Sequence, residues 1–191
     1  MWILVLGILV FLGAHSFTTF RHWRAAAIAR LGAGPYRVLY SAVSMLGFVL
    51  IVYGYGRYRA AGPEPIWAPP LWSHDITAAL MWFAFVALAS IGGPATRIRG
   101  WLKHPMLVAI KIWALAHLIA NGDAGSMLLF GSFLAWAVYD RIAVKRRGDA
   151  GAPALTRFVR ADGVVLGIGT AAYLVMWGLH PYLIGVPVIL G

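Results

Sequence analysis

The sequence predicts an all-α fold, a polytopic bundle of about six transmembrane helices forming a single domain over residues 1–191, and three observations lead there. Hydrophobic residues make up 61% of the chain and charged residues 12%, well below the ~25% with which a soluble domain keeps its surface wet. The apolar residues are gathered into blocks near the length of about 20 that a hydrocarbon core requires. The basic residues fall between those blocks, where a bilayer protein keeps its topology signals.

The first block, Trp2 to Phe20, follows the initial methionine with no basic residue ahead of it and no clear small-residue cleavage site behind it. It reads as a retained helix rather than a signal peptide. Further blocks run over Val38–Tyr55, Ile76–Ile91, Pro105–Ala120, Ala124–Tyr139 and Val164–His180. Pro105–Ala120 is the shortest and is expected to borrow residues from its flanks. Its proline suits a first helical turn, and Asn121-Gly122-Asp123 suits a helix stop followed by a tight turn. The stretch Pro181 to Gly191 is apolar but interrupted by Pro181 and Pro187. It is expected to lie at the interface or fold back rather than continue the sixth helix.

Orientation follows from Lys and Arg in alternate loops. The first loop holds Arg21, Arg24, Arg30 and Arg37, the third Arg97, Arg99 and Lys103, and the fifth Arg141, Lys145, Arg146, Arg147, Arg157 and Arg160. The other side holds Arg57 and Arg59. Both termini are therefore expected to be periplasmic, and the net charge of +10 reflects topology, with no nucleic-acid partner implied. With no cysteine, disulfides, thiolate ligation and covalent c-type haem are excluded. A metal or cofactor would have to be held by His, Asp, Met or backbone groups.

Six histidines stand in this apolar chain, and His15 and His117 fall inside predicted spans. An imidazole in lipid needs a partner, either a hydrogen bond to a neighbouring helix or a ligand. His15 shares a helical face with Phe11, Thr18, Thr19 and His22. The fourth helix carries Lys103-His104-Pro105-Met106-Leu107, then Lys111, Trp113 and His117. His104 and His117 are thirteen residues apart, which sets them on largely opposed faces and not as adjacent ligands of one metal. Lys111 shares the His104 face, where it is expected to snorkel, pair with an acid such as Asp140, or meet an anionic ligand group. His74 and His180 lie near the outer interface.

The run from Lys103 to Asp123, with Leu129-Phe130-Gly131-Ser132-Phe133-Leu134-Ala135-Trp136-Ala137 and Asp140-Arg141, closely resembles the NnrU family of bacterial membrane proteins. The resemblance spans nearly the whole chain. It implies a multi-pass protein of the bacterial inner membrane linked to nitrite and nitric oxide metabolism in denitrification, with a nitrogen-oxide or lipophilic small molecule as partner. The family is related to plant and algal 15-cis-zeta-carotene isomerase, a haem b enzyme with two axial histidines. What this resemblance implies is a haem b held by His117, from its spacing after His104-Pro105, and by His15, from helix order, with His74 as the alternative second ligand. Trp113 and Asn121 on the His117 face would then offer the ring an aromatic wall and a polar end, and Arg21 and Arg24 would pair its propionates. The activity implied is a haem-dependent, redox-gated cis–trans isomerisation.

Two other classes are weighed against it. Isoprenylcysteine-type membrane methyltransferases also open a helix with a basic-His-Pro motif, but they require a glutamate-containing motif on the cytoplasmic side. The sole glutamate here, Glu64, lies on the expected outer side. A cofactor-free transporter or structural subunit would use Lys111 and Asp140 as a buried pair, and the small size and lack of a clear repeat argue against an autonomous carrier.

Overall fold

The computed structural model describes residues 1–189, so the last two residues of the Pro181–Gly191 stretch lie outside the described residues. Among the described residues eight helices follow one another: α1 (Trp2–Thr19), α2 (Arg21–Leu31), α3 (Ala33–Ala60), α4 (Trp72–Ala89), α5 (Arg97–Leu102), α6 (Pro105–Ala120), α7 (Ala124–Arg146) and α8 (Arg160–Ile184). Five of them, α1, α3, α4, α7 and α8, are long and apolar enough to cross a membrane, and α6 is a shorter apolar helix of 16 residues. A helical membrane bundle is the architecture, as hydrocarbon demands of a chain whose backbone groups must be satisfied within each segment.

The helices fall into two compact units, Met1–Trp67 with Asp123–Ala143, and Ala68–Gly122 with Val144–Gly191. In the first unit α1 and α3 are packed backbone to backbone. A Cβ placed on Gly7 would lie 2.6 Å from the Ile51 nitrogen, one on Gly47 would lie 2.6 Å from the Phe11 nitrogen, and Gly54 meets Leu4 in the same way. The residue numbers in each pair add to one value, so the two helices run antiparallel. Lipid supplies no hydrophobic drive between helices, and small residues let the backbones approach closely enough for dispersion to hold them. α7 joins through Phe133 against Phe11, ring centroids 5.6 Å apart, and through the Tyr55 and Ser126 hydroxyls, 2.7 Å apart. Asp123 starts α7 by accepting from the Ser126 amide at 2.9 Å and its hydroxyl at 2.6 Å, which makes the Asn-Gly-Asp segment both stop and start.

In the second unit α4 packs against both α6 and α8. The Thr77 hydroxyl donates to the Ala116 carbonyl at 2.8 Å, and the Trp82 indole donates to the Thr170 hydroxyl at 3.0 Å. Gly169 admits the Val86 backbone, where a Cβ would stand 2.7 Å from the Val86 Cα. Asp162, 2% exposed, accepts from the amides of Arg97 at 3.2 Å, Ile98 at 2.9 Å and Val159 at 2.9 Å. One carboxylate thus satisfies amides at the start of both α5 and α8.

Three expectations are corrected. The first and third basic loops are largely helical, as α2 and α5. Pro181 does not end the last span: α8 continues to Ile184 and stops at Gly185, which takes the left-handed conformation. A proline one turn from a helix end removes little, and the chain then folds back so that the His180 ring bonds the Val186 carbonyl at 2.7 Å. Finally, α1 ends at Thr19, so His22 lies in the first turn of a new helix, is exposed, and does not extend the His15 face.

Candidate functional site

The histidines of the two helices that the sequence singles out share one local geometry. On α1 the His15 Nδ1 lies 2.7 Å from the Phe11 carbonyl oxygen, and on α6 the His117 Nδ1 lies 2.8 Å from the Trp113 carbonyl oxygen. Each contact spans four residues, the spacing at which one helical turn stacks on the next. A carbonyl only accepts, so each Nδ1 donates its N–H to the turn before it. Metal-bound histidines are commonly oriented and made more basic by this kind of bond on the opposite nitrogen. The His180 Nδ1 also bonds a carbonyl, that of Val186 six residues later and past the end of α8.

Around His15 the first unit builds an aromatic cage. Phe11 stacks on the imidazole with centroids 4.2 Å apart, Tyr40 lies tilted at 5.6 Å, and Trp136 of α7 presents an edge at 5.7 Å. Tyr36 stacks beyond Tyr40 at 6.5 Å. Below the cage the Thr18 hydroxyl donates to the His15 carbonyl at 2.7 Å, and the Thr19 hydroxyl donates to Asp140 at 2.8 Å. Among the described residues, Tyr36 Oη, Ser44 Oγ, Trp136 Nε1 and an Arg141 guanidinium nitrogen are buried without a hydrogen-bond partner. All four belong to this unit, and leaving such groups dry and unpaired costs free energy. A polar ligand among them would relieve that cost.

In the second unit Trp113 packs against the His117 ring with centroids 5.7 Å apart. Asn121 uses its amide to cap α6, donating to the His117 carbonyl at 2.8 Å. His74 sits in the first turn of α4, one turn from Thr77, whose hydroxyl reaches the residue before His117. His104 caps α6 at its other end, and its buried Nε2 has no partner among the described residues.

The structure thus gathers Phe11, Tyr40 and Trp136 about His15, and Trp113 and Asn121 about His117. Of the two arginines expected at propionates, Arg24 lies over the Tyr36 ring at 6.0 Å, whereas Arg21 is exposed at the start of α2. Sequence reasoning passed over Tyr36, Ser44, Trp136 and Asp162. The first three are recruited across helices, and only the one-turn spacing of Tyr36, Tyr40 and Ser44 hints at a shared face. Asp162 had a local signal, an acid in the first turn of a helix. No group of three or more His, Asp or Glu that could hold a metal ion occurs among the described residues. A haem iron would need only two protein ligands, because the macrocycle supplies the rest.

No curated protein and no solved structure matches the chain. Residues 3–188 match the family described as NnrU protein, a stretch that covers nearly all of both units and includes every histidine named above. The chain is a membrane protein that belongs to the NnrU family.

Proposed function

We propose that the protein, in the bacterial inner membrane, binds haem b, which His117 and His15 would hold. The observation that carries this reading is the matched bond from each Nδ1 to the carbonyl four residues earlier, the bond on the opposite ring nitrogen by which metal-ligating histidines are commonly oriented. The unpartnered donors near His15, above all Tyr36 and Trp136, suit the carboxylates of propionates, with Arg24 beside Tyr36. His74 is the alternative second ligand.

Bound haem would supply a redox-active iron. The chain's own residues would orient the two imidazoles, exclude water with the aromatic cage, and admit substrates dissolved in the bilayer. The reaction this supports is a redox-gated cis–trans isomerisation of a polyene, or a helper role in nitrite and nitric oxide metabolism. The absorption and electron paramagnetic resonance spectra of the purified protein test the cofactor, and a low-spin bis-histidine signature is expected. A protein expressed with ample haem that carries none would remove the reading. Incubating the reduced protein in liposomes with cis-carotenes or with nitrogen oxides separates the two roles.

The same proposal places both termini in the periplasm, from the basic residues of α2, α5 and the end of α7. Reporter fusions after Arg30, Arg99 and Arg147 should all report cytoplasm, and a periplasmic signal from any one of them would reverse the orientation.

A further inference from the structure

The second unit contains an apolar cleft of about 430 Å³, a size typical of small-molecule sites (roughly 300–1,000 Å³). Phe83 and Val86 of α4, Ile98 and Trp101 of α5, Ile112 of α6, and Phe158 just ahead of α8 are among its walls. The tight contact of Gly169 with Val86 joins α4 to α8, and the bond to Thr170 fixes the Trp82 ring that also lines the cleft.

A cation stands against two of those walls. The Arg97 guanidinium carbon lies 4.7 Å from the Trp101 ring centroid and 4.8 Å from that of Phe158, and the two rings meet edge to face at 5.3 Å. The Arg97 Nε is buried and has no hydrogen-bond partner among the described residues. The Asp162 carboxylate is already engaged by three backbone amides, one of them that of Arg97 itself. The aromatic faces hold the guanidinium in place but give it no acceptor. Arg99, Lys103, Arg157 and Arg160 add positive charge in the adjoining segments, and Trp101 and Phe158 are more than half exposed. Basic and aromatic residues together mark the headgroup level of a bilayer.

We propose that this cleft binds one anionic membrane phospholipid, with an acyl chain along the apolar walls and the phosphate on the Arg97 guanidinium. The site is independent of the haem reading: it uses neither His15 nor His117.

Native mass spectrometry of the full-length protein, delipidated in detergent and titrated with phosphatidylglycerol or phosphatidylcholine, tests it. A single retained phosphatidylglycerol is expected, bound more tightly than phosphatidylcholine. Arg97→Gln should weaken phosphatidylglycerol by about tenfold and leave phosphatidylcholine unchanged, while Arg97→Lys should retain most of the preference. Ile112→Trp, which fills the cleft and spares the cation, should also lose the retained lipid. Equal binding of the two lipids, or unchanged phosphatidylglycerol binding in both Arg97→Gln and Ile112→Trp, would overturn the proposal. So would oleate competing as tightly as phosphatidylglycerol, which would assign the cleft to fatty acids. Glycerol phosphate producing the same stabilisation without acyl chains would reduce it to an anion site and overturn it as well.

Discussion

Gly47 of α3 faces the backbone of Phe11 on α1 so closely that a single added carbon would stand 2.6 Å from the Phe11 nitrogen. Phe11 is also the residue whose carbonyl accepts from His15 and whose ring stacks on it. Packing of the α1–α3 pair and orientation of the His15 imidazole therefore share one residue. Gly47→Val should lower the thermal midpoint of the protein in detergent, with a cost of about 1–3 kcal/mol from overpacking. Gly13→Ala, whose added carbon meets nothing within 4 Å, should leave stability the same or slightly higher. Equal midpoints for Gly47→Val and wild type would show that the two helices are not in backbone contact.

Substituting Asp162 probes the junction of α5 and α8. Asp162→Ala would strand three amides and should cost about 2–4 kcal/mol, whereas Asp162→Asn keeps one acceptor oxygen and should cost about half as much. Hydrogen exchange should rise first at Arg97 and Ile98. Exchange that rises uniformly along the chain would argue against a local junction.

The axial assignment separates three histidines. His117→Ala and His15→Ala should each abolish the low-spin signal or empty the protein of haem, while His22→Ala, altering an exposed residue of α2, should keep it in full. Retention in His117→Ala would sink the assignment, and retention in His15→Ala alone would move the second ligand to His74 or to His180.

Tyr36→Phe gives opposite signs for stability and retention. It removes a buried hydroxyl that has no partner among the described residues, so the haem-free protein should be as stable as wild type or slightly more so. If that hydroxyl serves a propionate, the variant should release haem to a scavenging protein about threefold to tenfold faster. Unchanged release with unchanged stability would exclude Tyr36 from the cofactor's surroundings.

Much of the bundle was legible because hydropathy and helix punctuation agreed. The span read as Pro105–Ala120 has those bounds in the structure and does not borrow from its flanks as expected, since a proline at the first helical position and an asparagine-glycine stop leave little freedom. The span read as Val38–Tyr55 runs instead from Ala33 to Ala60. Apolarity marks where lipid begins, whereas backbone hydrogen bonding carries the helix on through Arg37, Arg57 and Arg59 into the headgroups. Helices α2 and α5 were read as loops because their composition is basic, although charge does not prevent a helix at an interface. At the site, the contact of His15 with Phe11 followed from helical spacing alone. The neighbours Tyr40 and Trp136 did not, because they come from α3 and α7 and their approach is set by packing.

The first unit takes its last helix from far along the chain, since Asp123–Ala143 joins Met1–Trp67 with the whole of α4, α5 and α6 between them. During synthesis the α1–α3 hairpin can close early, with His15, Tyr36 and Tyr40 already present. Trp136, and Asp140 to receive the Thr19 hydroxyl, emerge only after three further helices. The order in which the ribosome delivers the helices thus differs from the order in which the first unit is completed. Until α7 arrives, His15 stands on a finished hairpin with one side of its cage still open to lipid.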